Sequence, residues 1–126
     1  MDLPVRKQGQ LEFFVEEVTP EHAKSRMPVQ GGIINAFGTV QAGALVWLAD
    51  VTATVLALGK PSAEQNQRGF PLAINLQSSF LGNVKSGEII AESRFVKRGK
   101  RTMVVRTRVT SGDKLLAEVT TTHMPA

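Results

Sequence analysis

The chain has 126 residues with 15 Lys and Arg, 11 Asp and Glu, a net charge of +4 and no cysteine. That length suits one domain with a core of its own, expected to span residues 1–126. Without cysteine there is no disulfide framework and no thiolate metal site, and two histidines as distant as His22 and His123 offer no ligand spacing, so no metal and no cofactor is expected. A reducing cytoplasm fits this composition.

The first residues, MDLPVRKQGQLEFFVEE, contain no apolar run of signal-peptide length and nothing that would span a bilayer. Gln10 to Val18 alternates Leu11, Phe13 and Val15 with Glu12 and Glu16, the pattern of a strand with one buried face, ended by Thr19-Pro20. Glu21 to Met27 reads as a short helical turn. Gly31-Gly32 and the stretch to Gly38 then supply loop residues.

The most apolar stretch, Ala42 to Leu58, approaches the lower bound for a membrane span, about 17 residues. It carries Asp50 and lies between amphipathic segments, so it reads as a buried core helix and not as a membrane segment. Its only polar side chains are Asp50, Thr52 and Thr54, and a helix apolar nearly all round must be wrapped by other structure. Gly59-Lys60-Pro61 stops it, and the polar run Ser62 to Gly69 forms a surface connection. Trp47 is assigned to the core.

Four further runs have a period of two. Phe70, Leu72, Ile74 and Leu76 mark the first, with room to extend to Leu81. Ile89, Ala91, Ser93 and Phe95 share a face of the second; Met103, Val105, Thr107 and Val109 share a face of the third, backed by Arg106 and Arg108. The last, Lys114 to Thr122, follows a Ser111-Gly112-Asp113 turn. One long apolar helix followed by antiparallel strands predicts an α+β domain in which a curved sheet wraps a single helix.

Chemistry concentrates between Asn35 and Asp50, NAFGTVQAGALVWLAD. A glycine-bearing loop feeding a helix leaves free N–H groups around Gln41 to Ala44, which with the helix dipole would stabilise an oxyanion; equally, Gly38 and Gly43 would serve a tight turn and close packing. A carboxylate within so apolar a helix must find donors or take up a proton. Asp50 is therefore a candidate general base or nucleophile, or else a structural carboxylate bonded to backbone or to Thr54.

This segment resembles the PaaI-like thioesterases of the hotdog superfamily, whose pattern is close to N-x-x-G-x-x-H-G-G-x-x-x-x-L-A-D. Asn35, Gly38, Gly43, Leu48, Ala49 and Asp50 fall in register, while Gln41 stands where the family has histidine and Ala42 where it has the first glycine of a pair. Phe80-Leu81 with Ser86-Gly87-Glu88 looks like the family's strand-turn-strand, and Lys97 to Arg101 like its later basic turn. The resemblance implies a hotdog fold and acyl-CoA thioester hydrolysis, with Asp50 as base or nucleophile. It implies an oxyanion held at the helix start by Ala42 and Gly43, with Asn35 and Gln41 beside it. It further implies substrate contacts from Ser79, Phe80, Arg98, Gly99, Lys100 and Arg101, and a ligand lying between subunits of a homodimer or homotetramer (a dimer of dimers). Because Gln41 cannot act as acid or base, the proton chemistry falls to Asp50. His22 and His123 have no place in the motif and are assigned to the surface or a sheet edge.

Gln41 and Ala42 keep open an alternative, an acyl-CoA or acyl-carrier-protein binding module with little turnover. A hotdog dehydratase would need a histidine near the helix. Nucleic-acid binding has only the basic cluster between Arg94 and Arg108 in its favour, against scarce aromatics among those charges, and no nucleic-acid partner is expected.

Overall fold

The computed structural model describes residues 2–126. Its elements in chain order are β1 (Phe14–Val18), β2 (His22–Pro28), α1 (Ala42–Leu58), β3 (Pro71–Phe80), β4 (Glu88–Arg98), β5 (Met103–Ser111) and β6 (Lys114–Pro125). The strands form one antiparallel sheet in the order β1-β2-β4-β5-β6-β3, and α1 packs across it, touching every strand. The α+β hotdog architecture expected from the sequence is the one present, with α1 bounded as read.

Alternation decides which side chains enter the core. Ile89, Ala91 and Ser93 of β4, and Val105, Thr107 and Val109 of β5, are buried against the helix, while Glu92, Arg94, Arg106 and Arg108 point outward. Met27, Leu45, Leu48, Ala49, Ile89, Leu116 and Val119 form the larger apolar cluster, and Ala53, Leu56 and Val105 anchor a second toward the helix C-terminus. There Gly59 adopts φ 82°, and its N–H bonds to the Val55 carbonyl, ending α1 in the left-handed conformation that glycine tolerates best.

Two sequence-based expectations are corrected. Glu21 to Met27 is not a helical turn; His22–Pro28 is strand β2, paired with β1 and β4. Its residues favour helix locally, but Ala23, Ser25 and Met27 alternate inward at full burial, and ladders on both sides outweigh local propensity. The first strand is also shorter than Gln10 to Val18: it begins at Phe14, opposite Arg26. Pro28 has no N–H to extend the ladder, and the preceding chain peels away so that Phe13 packs edge-on against Trp47, ring centroids 5.3 Å apart.

The helix is not wrapped on all sides. Leu45, Leu48, Ala49, Thr52, Ala53 and Leu56 face the sheet, while Gly43 is exposed and Val46, Trp47, Asp50, Thr54 and Leu58 are half-buried along the opposite stripe. β3 lies at one edge of the sheet and leaves Leu72, Ile74, Leu76 and Phe80 exposed.

Candidate active site

Asp50 sits midway along the open stripe of α1. Its carboxylate faces a cavity of about 530 Å³ whose walls include Val51, Thr54 and Leu58 of the helix, Phe13 of the N-terminal segment, and Phe70 to Ala73 at the start of β3. The lining is apolar except for Asp50, Thr54 and Ser62. Among the described residues, Oδ1 of Asp50 is buried and has no hydrogen-bond partner, so Thr54 and the backbone leave that oxygen free. An unsatisfied buried carboxylate oxygen costs stability, so its presence calls for an explanation, of which a catalytic role is one.

The loop before α1 is built by Asn35. Its Oδ1 accepts the N–H groups of Phe37 and Thr39 at 3.0 and 3.1 Å, and its Nδ2 donates to the Thr39 hydroxyl at 3.0 Å. Gly38 turns this loop at φ 94°. Gln41 is the N-cap, without a side-chain capping bond, and its own N–H goes to the Ile33 carbonyl. Ala44 and Leu45 return their N–H groups to the Gln41 carbonyl, whereas Ala42 and Gly43, both exposed, find no backbone acceptor outside the helix among the described residues. A Cβ built on Gly43 meets nothing within 4 Å, so the space beside those two donors is open. Eight and seven residues at about 1.5 Å each put them roughly 12 and 10 Å along the axis from Asp50, too far for one carbonyl to reach both ends.

The other expected residues lie at the two ends of the sheet. Ser79 and Phe80 are exposed at the end of β3, opposite Glu118 and Ala117, on the side where Val40 bonds to the Val84 carbonyl ahead of the helix start. Arg98, Gly99, Lys100 and Arg101 form the β4–β5 turn beside the helix C-terminus, where Arg98 shares a small cavity with Ala57 and Gly59. The Arg98 guanidinium stacks over Phe95 at 4.1 Å and donates to the Pro20 carbonyl, while Lys100 and Arg101 extend into solvent. Gly99 is required by the backbone, since a Cβ there would lie 2.6 Å from the Thr102 carbonyl oxygen. One chain therefore does not gather these residues around Asp50.

Phe13 and the Phe70 to Ala73 wall were not legible as site residues, because their partners are distant in sequence; only Thr54, one turn beyond Asp50, carried a local signal. His123 is a correction: it is fully buried, not at the surface. Its Nδ1 lies 3.1 Å from the Pro71 carbonyl, which only accepts, so Nδ1–H is the donor and Nε2 takes the Thr121 hydroxyl at 2.8 Å. The ring thereby fixes Pro71, part of the cavity wall. His22 is half-buried between Glu17 and Glu92.

Known proteins bear out this architecture. The chain belongs to the thioesterase superfamily, whose family model matches residues 37–118. A conserved protein of Pseudomonas aeruginosa superposes with a TM-score of 0.80 at 25% identity, over 90% of this chain and 88% of that one. A thioesterase-like, phenylacetic acid degradation-related protein of Ralstonia eutropha gives 0.78 at 24% identity, over 89% and 83%. A Streptococcus mutans protein solved with acetyl CoA bound gives 0.78 at 18% identity, over 97% and 93%. No curated protein matches the chain. The expected hotdog fold and the thioesterase family are thus both present, and thioester hydrolysis is the reaction class the family indicates. Among the described residues, no helix is long and apolar enough to cross a membrane.

Proposed function

We propose that the protein hydrolyses an acyl-CoA thioester to the free acid and CoA, in a site shared by two subunits. The observation that carries this reading is the Asp50 carboxylate, one oxygen unpartnered, facing a mostly apolar cavity from a helix on which it is the one charged group. Asp50 takes a proton from water as that water attacks the thioester carbonyl, and the N–H groups of Ala42 and Gly43 from the facing subunit stabilise the oxyanion. Collapse of the adduct expels the thiolate, which recovers the proton from Asp50. Direct attack by Asp50, through an anhydride that water then cleaves, uses the same atoms.

Two protomers meet the geometric need if a two-fold axis sets their α1 helices antiparallel, so that each helix start lies beside the other's Asp50. The exposed apolar edge strand β3 supports this assembly: Leu72, Ile74 and Leu76 beside unpaired backbone groups form a surface that proteins ordinarily cover. The acetyl CoA bound to the Streptococcus mutans neighbour supports CoA as the carrier.

The test is Asp50→Asn on a panel of thioesters, read as free-thiol release. The amide is close to isosteric but is neither base nor nucleophile, so the rate is expected to fall about 10²–10⁴-fold with the fold intact. Parental rates in that variant would make Asp50 structural. CoA binding without thiol release from any acyl form would identify a binding module instead.

A further inference from the structure

The outer face of the sheet holds a second feature that the thioester site does not use. Arg94 of β4 and Arg106 of β5 are directly opposed across the two central strands, both exposed. Opposed residues on paired strands stand about 4.5–5.5 Å apart at Cα, and like charges in that register destabilise a sheet. No carboxylate offsets them: among the described residues neither guanidinium has an acid within ion-pairing distance. The nearest rows are already matched, Glu92 to His22 at 3.4 Å and Glu118 to Arg108 at 3.7 Å. The two guanidiniums instead border a concavity of about 550 Å³ on this outer face, with Arg108, Val96 and Thr110 in its lining and with Glu92, held by His22, as its one carboxylate.

We propose that Arg94 and Arg106 form a binding site for a diphosphate-bearing small molecule, on the opposite side of the sheet from Asp50. Each planar guanidinium presents a fork that matches two phosphate oxygens, so two adjacent forks suit two linked phosphoryl groups better than one. The bound anion also removes the cross-strand repulsion. Val96, exposed on the same face, gives an organic moiety on that diphosphate an apolar contact. The site does not depend on the hydrolytic reading, and its probes contain no thioester.

The test is calorimetric titration of the full chain at low ionic strength with inorganic diphosphate, ADP and inorganic phosphate. One diphosphate per chain is expected to bind in a Lys100→Gln/Arg101→Gln background, with affinity falling at least about tenfold when Arg94→Gln/Arg106→Gln is added. Lys85→Gln, a charge loss in the β3–β4 connection, should leave binding unchanged. Without ligand, the Arg94→Gln/Arg106→Gln variant should melt at the parental temperature or above it, because it loses a repulsion. ADP binding at least as tightly as inorganic diphosphate assigns a nucleotide; weaker ADP binding assigns the free anion. No binding at millimolar diphosphate, equal affinity for monophosphate, equal loss in Lys85→Gln, or a lower unliganded melting temperature in the Arg94→Gln/Arg106→Gln variant would each overturn the proposal.

Discussion

At the scale of single residues, burial and hydrogen bonding separate two groups that the sequence ranks in the opposite order of interest. Asp50 Oδ1 is buried and unsatisfied, whereas His123, which no motif singles out, is buried and satisfied at both ring nitrogens. Removing the imidazole leaves the Thr121 hydroxyl and the Pro71 carbonyl without partners, each worth about 1–3 kcal/mol when stranded. His123→Leu is therefore expected to lower the urea midpoint clearly and to weaken catalysis through the displaced Pro71 wall. His123→Gln, which retains a donor, should lose less; equal urea midpoints for parent and both variants would show that the ring bonds contribute nothing. In the β4–β5 turn, Lys100 and Arg101 are free in solvent while Arg98 is held by Phe95 and Pro20. Lys100→Gln/Arg101→Gln should raise KM for acyl-CoA more than for the matching acyl-pantetheine, which lacks the nucleotide phosphates. Equal effects on both substrates would remove the turn from the CoA site. Gly99 variants do not answer this question, since any side chain there strikes the Thr102 carbonyl.

Elements show how a helix apolar on nearly every side finds two different environments. The sheet covers the stripe through Leu45, Leu48, Thr52 and Leu56, and the N-terminal segment covers part of the other by laying Phe13 on Trp47. That segment is fastened by the Gln30 amide donating to Glu12 at 2.6 Å and by backbone contact between Gly9 and Gly32. Phe13 is thus a wall of the Asp50 cavity supplied from outside the sheet and helix. Under the proposed reading, Phe13→Ala widens the cavity and should shift the ratio of kcat/KM values toward longer or bulkier acyl groups, by about tenfold or less for a change of this size. An unchanged acyl profile across a graded series would show that the acyl group lies elsewhere.

For the whole molecule, the open stripe of α1 and the exposed apolar face of β3 are unfinished surfaces on one chain. Pairing two chains edge to edge would cover both. A charge on that edge, Ile74→Lys, is expected to shift the protein toward monomer in sedimentation velocity and to abolish turnover while leaving far-UV circular dichroism unchanged. A fully active monomer would rule out a shared site. Mixing Asp50→Asn with Gly43→Pro, provided each folds and assembles, tests the same point from the other side. A mixed dimer has one site with both defects and one with neither, so activity should return to part of the population.

Local pattern alone determined the span of α1, because an apolar run bounded by Gln41 and Gly59 has one stable solution, and it determined the inward faces of β4 and β5, because alternation maps directly onto a pleated sheet. It also singled out Asp50, the one charge in an apolar helix. Tertiary structure decided what depends on distant partners. β2 became a strand because β1 and β4 pair with it on either side, although its residues favour helix. His123 moved inside because the Pro71 carbonyl and the Thr121 hydroxyl were there to receive it. The wall facing Asp50 came from Phe13 and from Phe70 to Ala73, segments separated from it in sequence and joined only by packing. Hydrogen bonds and cavities belong to pairs of residues, and a pair far apart in the chain leaves no periodicity for the sequence to display.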